Sequence, residues 1–171
     1  MIKSKAVARC LTELREYHGY DDWSCKTIFL ILCFCEDIRD DDLTLIMKSI
    51  DAFEMGDQEL VIAVAILAKY MSVVEVPAVC IREAWIGCVI VACKLHTDDE
   101  ICFFNERACA IFSTTSSFFS SAELRVLTAL RWNLPIDDSI YLSVYRVLTR
   151  KSPTMFHFLR TVLLQSPAQW S

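Results

Sequence analysis

The 171-residue chain is poor in chain breakers, with three glycines and four prolines. Gly19, Gly56 and Gly87 lie far apart, so they form no phosphate-cradling glycine loop. So few breakers between long apolar stretches argue against a many-turned β fold and favour helices. A basic surplus is missing too. Seventeen Lys and Arg face 22 Asp and Glu, a formal charge of −5. No basic stripe offers a footprint for nucleic acid. Apolar runs are short: Ile28 to Cys35 and Ala84 to Cys93 fall well below the ~18 residues of a membrane span. The segment from Met1 to Cys10 lacks the apolar core of a secretory signal. Neither a G-x-S-x-G elbow nor an H-E-x-x-H pair occurs. The acid clusters Asp40–Asp42, Asp98–Glu100 and Asp137–Asp138 sit at predicted turns or helix ends, where Asp is favoured for backbone reasons alone. The expectation is a protein that is not an enzyme, with no catalytic residues, no cofactor, and neither nucleic acid nor membrane as partner.

Cysteine, by contrast, is plentiful. Nine of them, an odd number, lie scattered in apolar faces, the pattern of reduced thiols in a cytoplasmic or nuclear protein. One residue separates Cys33 from Cys35, and four separate Cys88 from Cys93. His18, His96 and His157 pair with neither group at a finger-like interval. The cysteines are therefore read as small core residues, and no metal site is expected.

Helical periodicity runs along most of the chain. Val7, Cys10, Leu11, Leu14 and Tyr17 share one face, and Ser24 can cap a second helix through Ile28, Phe29, Leu32 and Cys35. Asp40–Asp42 start a helix carrying Leu43, Ile46, Met47, Ile50 and Phe53. Gly56-Asp57 ends it and caps the next, whose stripe is Leu60, Ala63, Val64, Leu67 and Met71. After a connection at Pro77, Ala84 to Leu95 is apolar on nearly every side and reads as the buried central helix. Its small residues Gly87 and Ala92 suit close neighbours. A shorter helix covers Asn105 to Phe112, and the serine-rich run Ser113–Ser121 reads as a loop. Ser120-x-x-Glu123 then has the spacing of a capping box, with Leu124, Leu127, Leu130 and Leu134 carrying that helix's face. Asp137 or Asp138 begins another helix through Val144 and Leu148, and a last one spans roughly 154–164.

Five successive helices between Asp40 and Leu134, together with three sequence segments, resemble the cyclin box. Gln58-Glu-Leu-Val-Ile-Ala-Val-Ala-Ile-Leu-Ala-Lys-Tyr-Met-Ser72 follows the outline of the family's second helix. Val91-Ala-Cys-Lys-Leu-His-Thr-Asp-Asp-Glu100 follows the end of its third, and Glu123-Leu-Arg-Val-Leu-Thr-Ala-Leu-Arg-Trp-Asn-Leu134 its fifth. The resemblance covers about ninety-five residues. It implies an all-α fold: a five-helix bundle around a buried central helix, with flanking N- and C-terminal helices. The expected division is a helical extension over 1–37, the box over 38–149 and a short C-terminal helix and tail over 150–171.

What the resemblance implies about function is a regulatory subunit that forms a heterodimer with a cyclin-dependent kinase. It would activate the kinase by stabilising the inward position of its C-helix. Lys94 and Glu123 match a lysine and a glutamate that in cyclins hydrogen-bond to the kinase backbone. Leu95, Leu127, Trp132 and Leu134 match apolar positions that help line the kinase-binding side. Each has a plainer reading: Lys94 suits the negative end of a helix dipole, Glu123 a capping box, and the apolar residues the core. Departures are visible as well. Where A-type cyclins carry Met-Arg-Ala-Ile-Leu and a tryptophan for docking peptides, this chain has Ile38-Arg-Asp-Asp-Asp-Leu-Thr-Leu45, so docking of that kind is not expected. Nor is a second five-helix repeat expected after Leu148. The character is closer to the phosphate-pathway and Y-type cyclins or cyclin-like kinase activators. A non-activating scaffold and a transcription adaptor stand as alternatives.

Overall fold

The computed structural model of the protein describes residues 40–74, 81–96, 106, 108–110, 112–134 and 138–149. Five long helices organise them: α1 (Asp40–Ala52), α2 (Asp57–Val73), α3 (Ile81–His96), α4 (Ser116–Ala129) and α5 (Asp138–Thr149). Residues 108–110 and Phe112 are helical too, where the spacing predicts a shorter helix. No strand occurs among the described residues. The fold is all-α, in keeping with the paucity of breakers. The helices expected before residue 38 and over 154–164, and the connection at Pro77, lie outside the described residues.

α3 forms the axis of the bundle. Ile81 and every residue from Ala84 to Cys93 are buried, which follows from a sequence apolar on nearly all sides. α2 and α4 pack against it most extensively, α1 covers it more lightly, and α5 lies on α2. α2 is set almost as deeply, with Leu60, Val61 and the whole run Ala63–Met71 buried.

Small residues set the α3–α4 approach. A methyl group on Gly87 would fall well inside the van der Waals contact distance of the Ala122 carbonyl oxygen and lie 2.7 Å from Val126 Cγ2. Glycine there lets two helix backbones touch, a role the sequence reading anticipates. A polar tie deep in the core joins α3 to α1. Trp85 is fully buried, its indole Nε1–H donates to Ser49 Oγ at 2.7 Å, and Ser49 Oγ donates to the Ile46 carbonyl at 2.6 Å. The indole thus gains a partner without water, as a buried Trp needs. Phe53, Phe112 and Phe119 form an aromatic triangle, with centroids 5.9, 6.2 and 6.0 Å apart. It pins the end of α1 and the short helical stretch to the start of α4.

Two expectations about α4 need correction. The helix begins at Ser116, not at Ser120, so much of the serine-rich run is helical. Phe119 decides this. It lies three residues before Ala122 and seven before Val126, continues their buried face, and supplies the aromatic triangle. Burial of a Phe outweighs the modest helix propensity of the serines around it. Thr115 occupies the N-cap without a side-chain cap bond, so Ser120 and Glu123 form no capping box. Leu124 also leaves the expected core face: Val126 and Leu127 are buried, whereas Leu124 is exposed.

Scarce glycine leaves a mark on the helix ends. After α1, Met55 N–H donates to Ile50 O and Glu54 N–H to Asp51 O, with Glu54 at φ 48°. After α4, Trp132 N–H donates to Leu127 O and Arg131 N–H to Thr128 O, with Arg131 at φ 51°. The same pairing at Thr114 and Ser113 closes the short helical stretch, with Ser113 at φ 49°. These are Schellman ends, whose left-handed residue is usually Gly. Here Glu, Ser and Arg take that position, each at a cost of roughly 1–2 kcal/mol.

Candidate functional site

Lys94 lies in the last turn of α3, where its charge also suits the helix dipole. Glu123 lies two turns into α4, directly after Ala122, the residue whose carbonyl abuts Gly87. The tight helix contact brings the two side chains together. Lys94 Nζ donates to Glu123 Oε1 at 2.7 Å and to Oε2 at 2.6 Å, with the side chains 26% and 20% exposed. Loss of the capping box therefore does not leave Glu123 without a role, because its partner is Lys94. An ammonium has three donors and a carboxylate about four acceptor sites, so the joined pair still offers both kinds of group outward.

The apolar candidates divide. Leu95 follows Lys94 and is exposed; Leu127 is buried one turn after Glu123; Leu134 is half-buried against the core. Trp132 is the most exposed large apolar residue among those described, at 66%. Leu124, which the pattern assigns to the core, is exposed directly beside Glu123. Its signal was available in the sequence. With Phe119, Ala122 and Val126 as the buried stripe, Leu124 points elsewhere by helical geometry.

Trp132 owes its position to the turn after α4. Both Arg131 and Trp132 are left-handed, at φ 51° and 61°. Lys69 of α2 reaches this turn and donates from Nζ to the Asn133 carbonyl at 2.9 Å. Burial holds its ammonium below the usual lysine range. In the sequence, Ala68-Lys69 stands where the second helix of cyclins carries Asp-Arg, a departure that carries no label for what the lysine head group reaches.

Elsewhere, Arg125 pairs with Glu83 at 2.6 Å, and His96 lies 3.3 Å from Glu59. A cavity of about 310 Å³ opens beside Leu45, Arg82, Ile86 and Phe118, at the far end of α3 from Lys94, roughly 18 Å away along the axis. Cys88 and Cys93 are buried thiols. Burial pushes both up, that of Cys93 to about 12. Among the described residues no cluster of His, Cys, Asp or Glu could hold a metal, and no helix is long and apolar enough to cross a membrane.

A family profile described as "Cyclin, N-terminal domain" matches residues 34–135, more than half of the chain. The chain is a member of the cyclin family. Neither a curated protein nor a solved structure matches it significantly. The matched span runs from before α1 to the end of the Trp132 turn, and contains Lys94, Leu95, Glu123, Leu127, Trp132 and Leu134. Family membership makes this a cyclin-like regulatory protein, for which a protein partner is the expected ligand.

Proposed function

We propose that this cyclin binds a cyclin-dependent kinase through the face that carries Lys94 and Glu123, and activates it by favouring the inward position of the kinase C-helix. The observation that carries the reading is the closed Lys94–Glu123 pair on the seam of α3 and α4. Held in place before binding, it offers a donor and acceptors to a partner backbone at little ordering cost. Exposed Leu95 and Leu124 adjoin the pair in sequence, and Trp132 lies just beyond α4. Trp in particular is enriched among residues that dominate binding energy.

Activation in this scheme is a population shift. A kinase with its C-helix out lacks the ion pair between the strand lysine and the C-helix glutamate. A rigid surface that binds only the inward form raises that population. Moving the ratio from 1:99 to 99:1 takes about 5.5 kcal/mol of differential affinity. Two polar contacts fall short of that, so apolar area contributes most of it.

The test adds the purified chain to a panel of isolated cyclin-dependent kinases and follows phosphorylation of a generic substrate. Wild type raises the activity of at least one kinase, and the Lys94→Ala/Glu123→Ala protein raises it at least tenfold less. Equal activation by the double variant removes these two residues from the interface. Tight binding of a kinase without activation favours the scaffold reading instead.

A further inference from the structure

We propose that Lys69 is a positioning residue, which holds the turn after α4 so that Trp132 stands pre-organised as the anchor of the partner-binding face. Three observations converge on this. Lys69 is only 9% exposed, and its Nζ reaches a group 64 residues away, the main-chain carbonyl of Asn133. A buried ammonium is an expensive means of fixing a loop when a glycine at the helix end would do so locally. The loop it fixes is unusual, with two consecutive non-glycine residues, Arg131 and Trp132, in the left-handed region. Strain of that kind persists only where surrounding contacts over-determine it. Those contacts are the Trp132 N–H to Leu127 O bond at 2.8 Å, the Arg131 N–H to Thr128 O bond at 3.0 Å, and Lys69 from the neighbouring helix.

The product of this arrangement is one indole displayed to solvent. Trp132 is 66% exposed, although its backbone is fixed on both sides by those bonds. A large aromatic whose main chain is fixed in advance loses less freedom on binding, which is how pre-organisation gains affinity. Lys69 touches no partner in this scheme and acts through the turn alone. The part of the inference that concerns the partner rests on the kinase-binding reading. The part that concerns the turn does not.

The experiment therefore has two arms. In the first, the free protein is labelled with 5-fluorotryptophan and its fluorine spectrum recorded. The four tryptophans are assigned by Trp→Phe variants. Lys69→Met should broaden or split the Trp132 line and leave the line of core Trp85 in place; Lys69→Arg, which retains a donor, should leave both. A Trp132 line unmoved in Lys69→Met overturns the inference. Should Lys69→Met disturb Trp85 as well, Lys69→Gln decides on the same two lines. In the second arm, kinase affinity is measured for wild type, Lys69→Met, Trp132→Ala and the pair. Lys69→Met should weaken binding about tenfold, and should add nothing in the Trp132→Ala background. Additive losses overturn the positioning role. If wild type binds no kinase, the kinase reading fails while the fluorine result still decides the role of Lys69.

Discussion

Gly87→Ala is a substitution whose sign is decided by one contact. In an ordinary helix interior it would stabilise the protein by about 1 kcal/mol, because alanine is the better helix former. Here the added carbon would sit 2.9 Å from the Ala122 carbonyl carbon and 2.7 Å from Val126 Cγ2, whereas carbon atoms rest at about 3.5–4.0 Å. Val126 is fully buried and the Ala122 atoms are backbone, so neither can swing aside. α4 must move away by something on the order of 1 Å. Overpacking costs about 1–3 kcal/mol, and rigid backbone contact puts this site at the upper end. Subtracting the propensity gain leaves a net loss of about 2 kcal/mol. The shift also carries Glu123, the residue after Ala122, away from Lys94. Urea unfolding followed by circular dichroism measures the change as a lower midpoint at unchanged slope. Gly56→Ala is the control, since a methyl there meets only the carboxylate of Glu59, the far end of a flexible side chain. A Gly87→Ala protein as stable as wild type, or more so, refutes the close α3–α4 contact.

Other outcomes follow from single contacts. Ser49→Ala leaves the buried indole N–H of Trp85 without its acceptor, and should lower stability by about 1–3 kcal/mol in the same unfolding assay. Arg131→Gly relieves a left-handed residue at a Schellman end. It should raise stability by about 0.5–1 kcal/mol after allowing for glycine's freer unfolded chain. Cys93 is raised in the folded state to about 12, so above about pH 9, where an unfolded thiol ionises, the unfolded chain binds fewer protons than the folded one. The contribution of this group should be level below that pH and fall as pH rises from about 9 towards 12, by up to about 1.4 kcal/mol per unit. Cys93→Ala should flatten the decline, and an unchanged slope would contradict the burial effect.

The central helix was the most legible part of the fold, because Ala84–Cys93 is apolar on every side and only a core position suits it. α1, α2 and α5 were legible from their stripes and from acids at their starts. The start of α4 was not, because the serines and threonines of the 113–121 run speak for a loop and only the pair Phe118-Phe119 speaks for burial, Phe119 most deeply. Its satisfaction depends on Phe53 and Phe112, distant in sequence. The helix ends were obscured for a related reason. Glycine marks a left-handed end, and this chain places Glu54, Ser113 and Arg131 there instead. Lys94 and Glu123 could be selected by the family's pattern. Their direct pairing depends on how closely Gly87 lets α4 approach, which spacing along the chain does not encode. Lys69 was legible only as a departure from the family's Asp-Arg; its contact was hidden for the same reason, since the partner is a carbonyl 64 residues on.

The most direct test of the account is affinity capture from a native lysate with wild-type protein and Lys94→Ala/Glu123→Ala side by side, the retained proteins being identified and quantified by mass spectrometry. The account predicts that a cyclin-dependent kinase is retained by wild type and is at least tenfold depleted with the double variant, both proteins being equally folded. A wild-type protein that retains no such kinase, or a double variant that retains it equally, would contradict it.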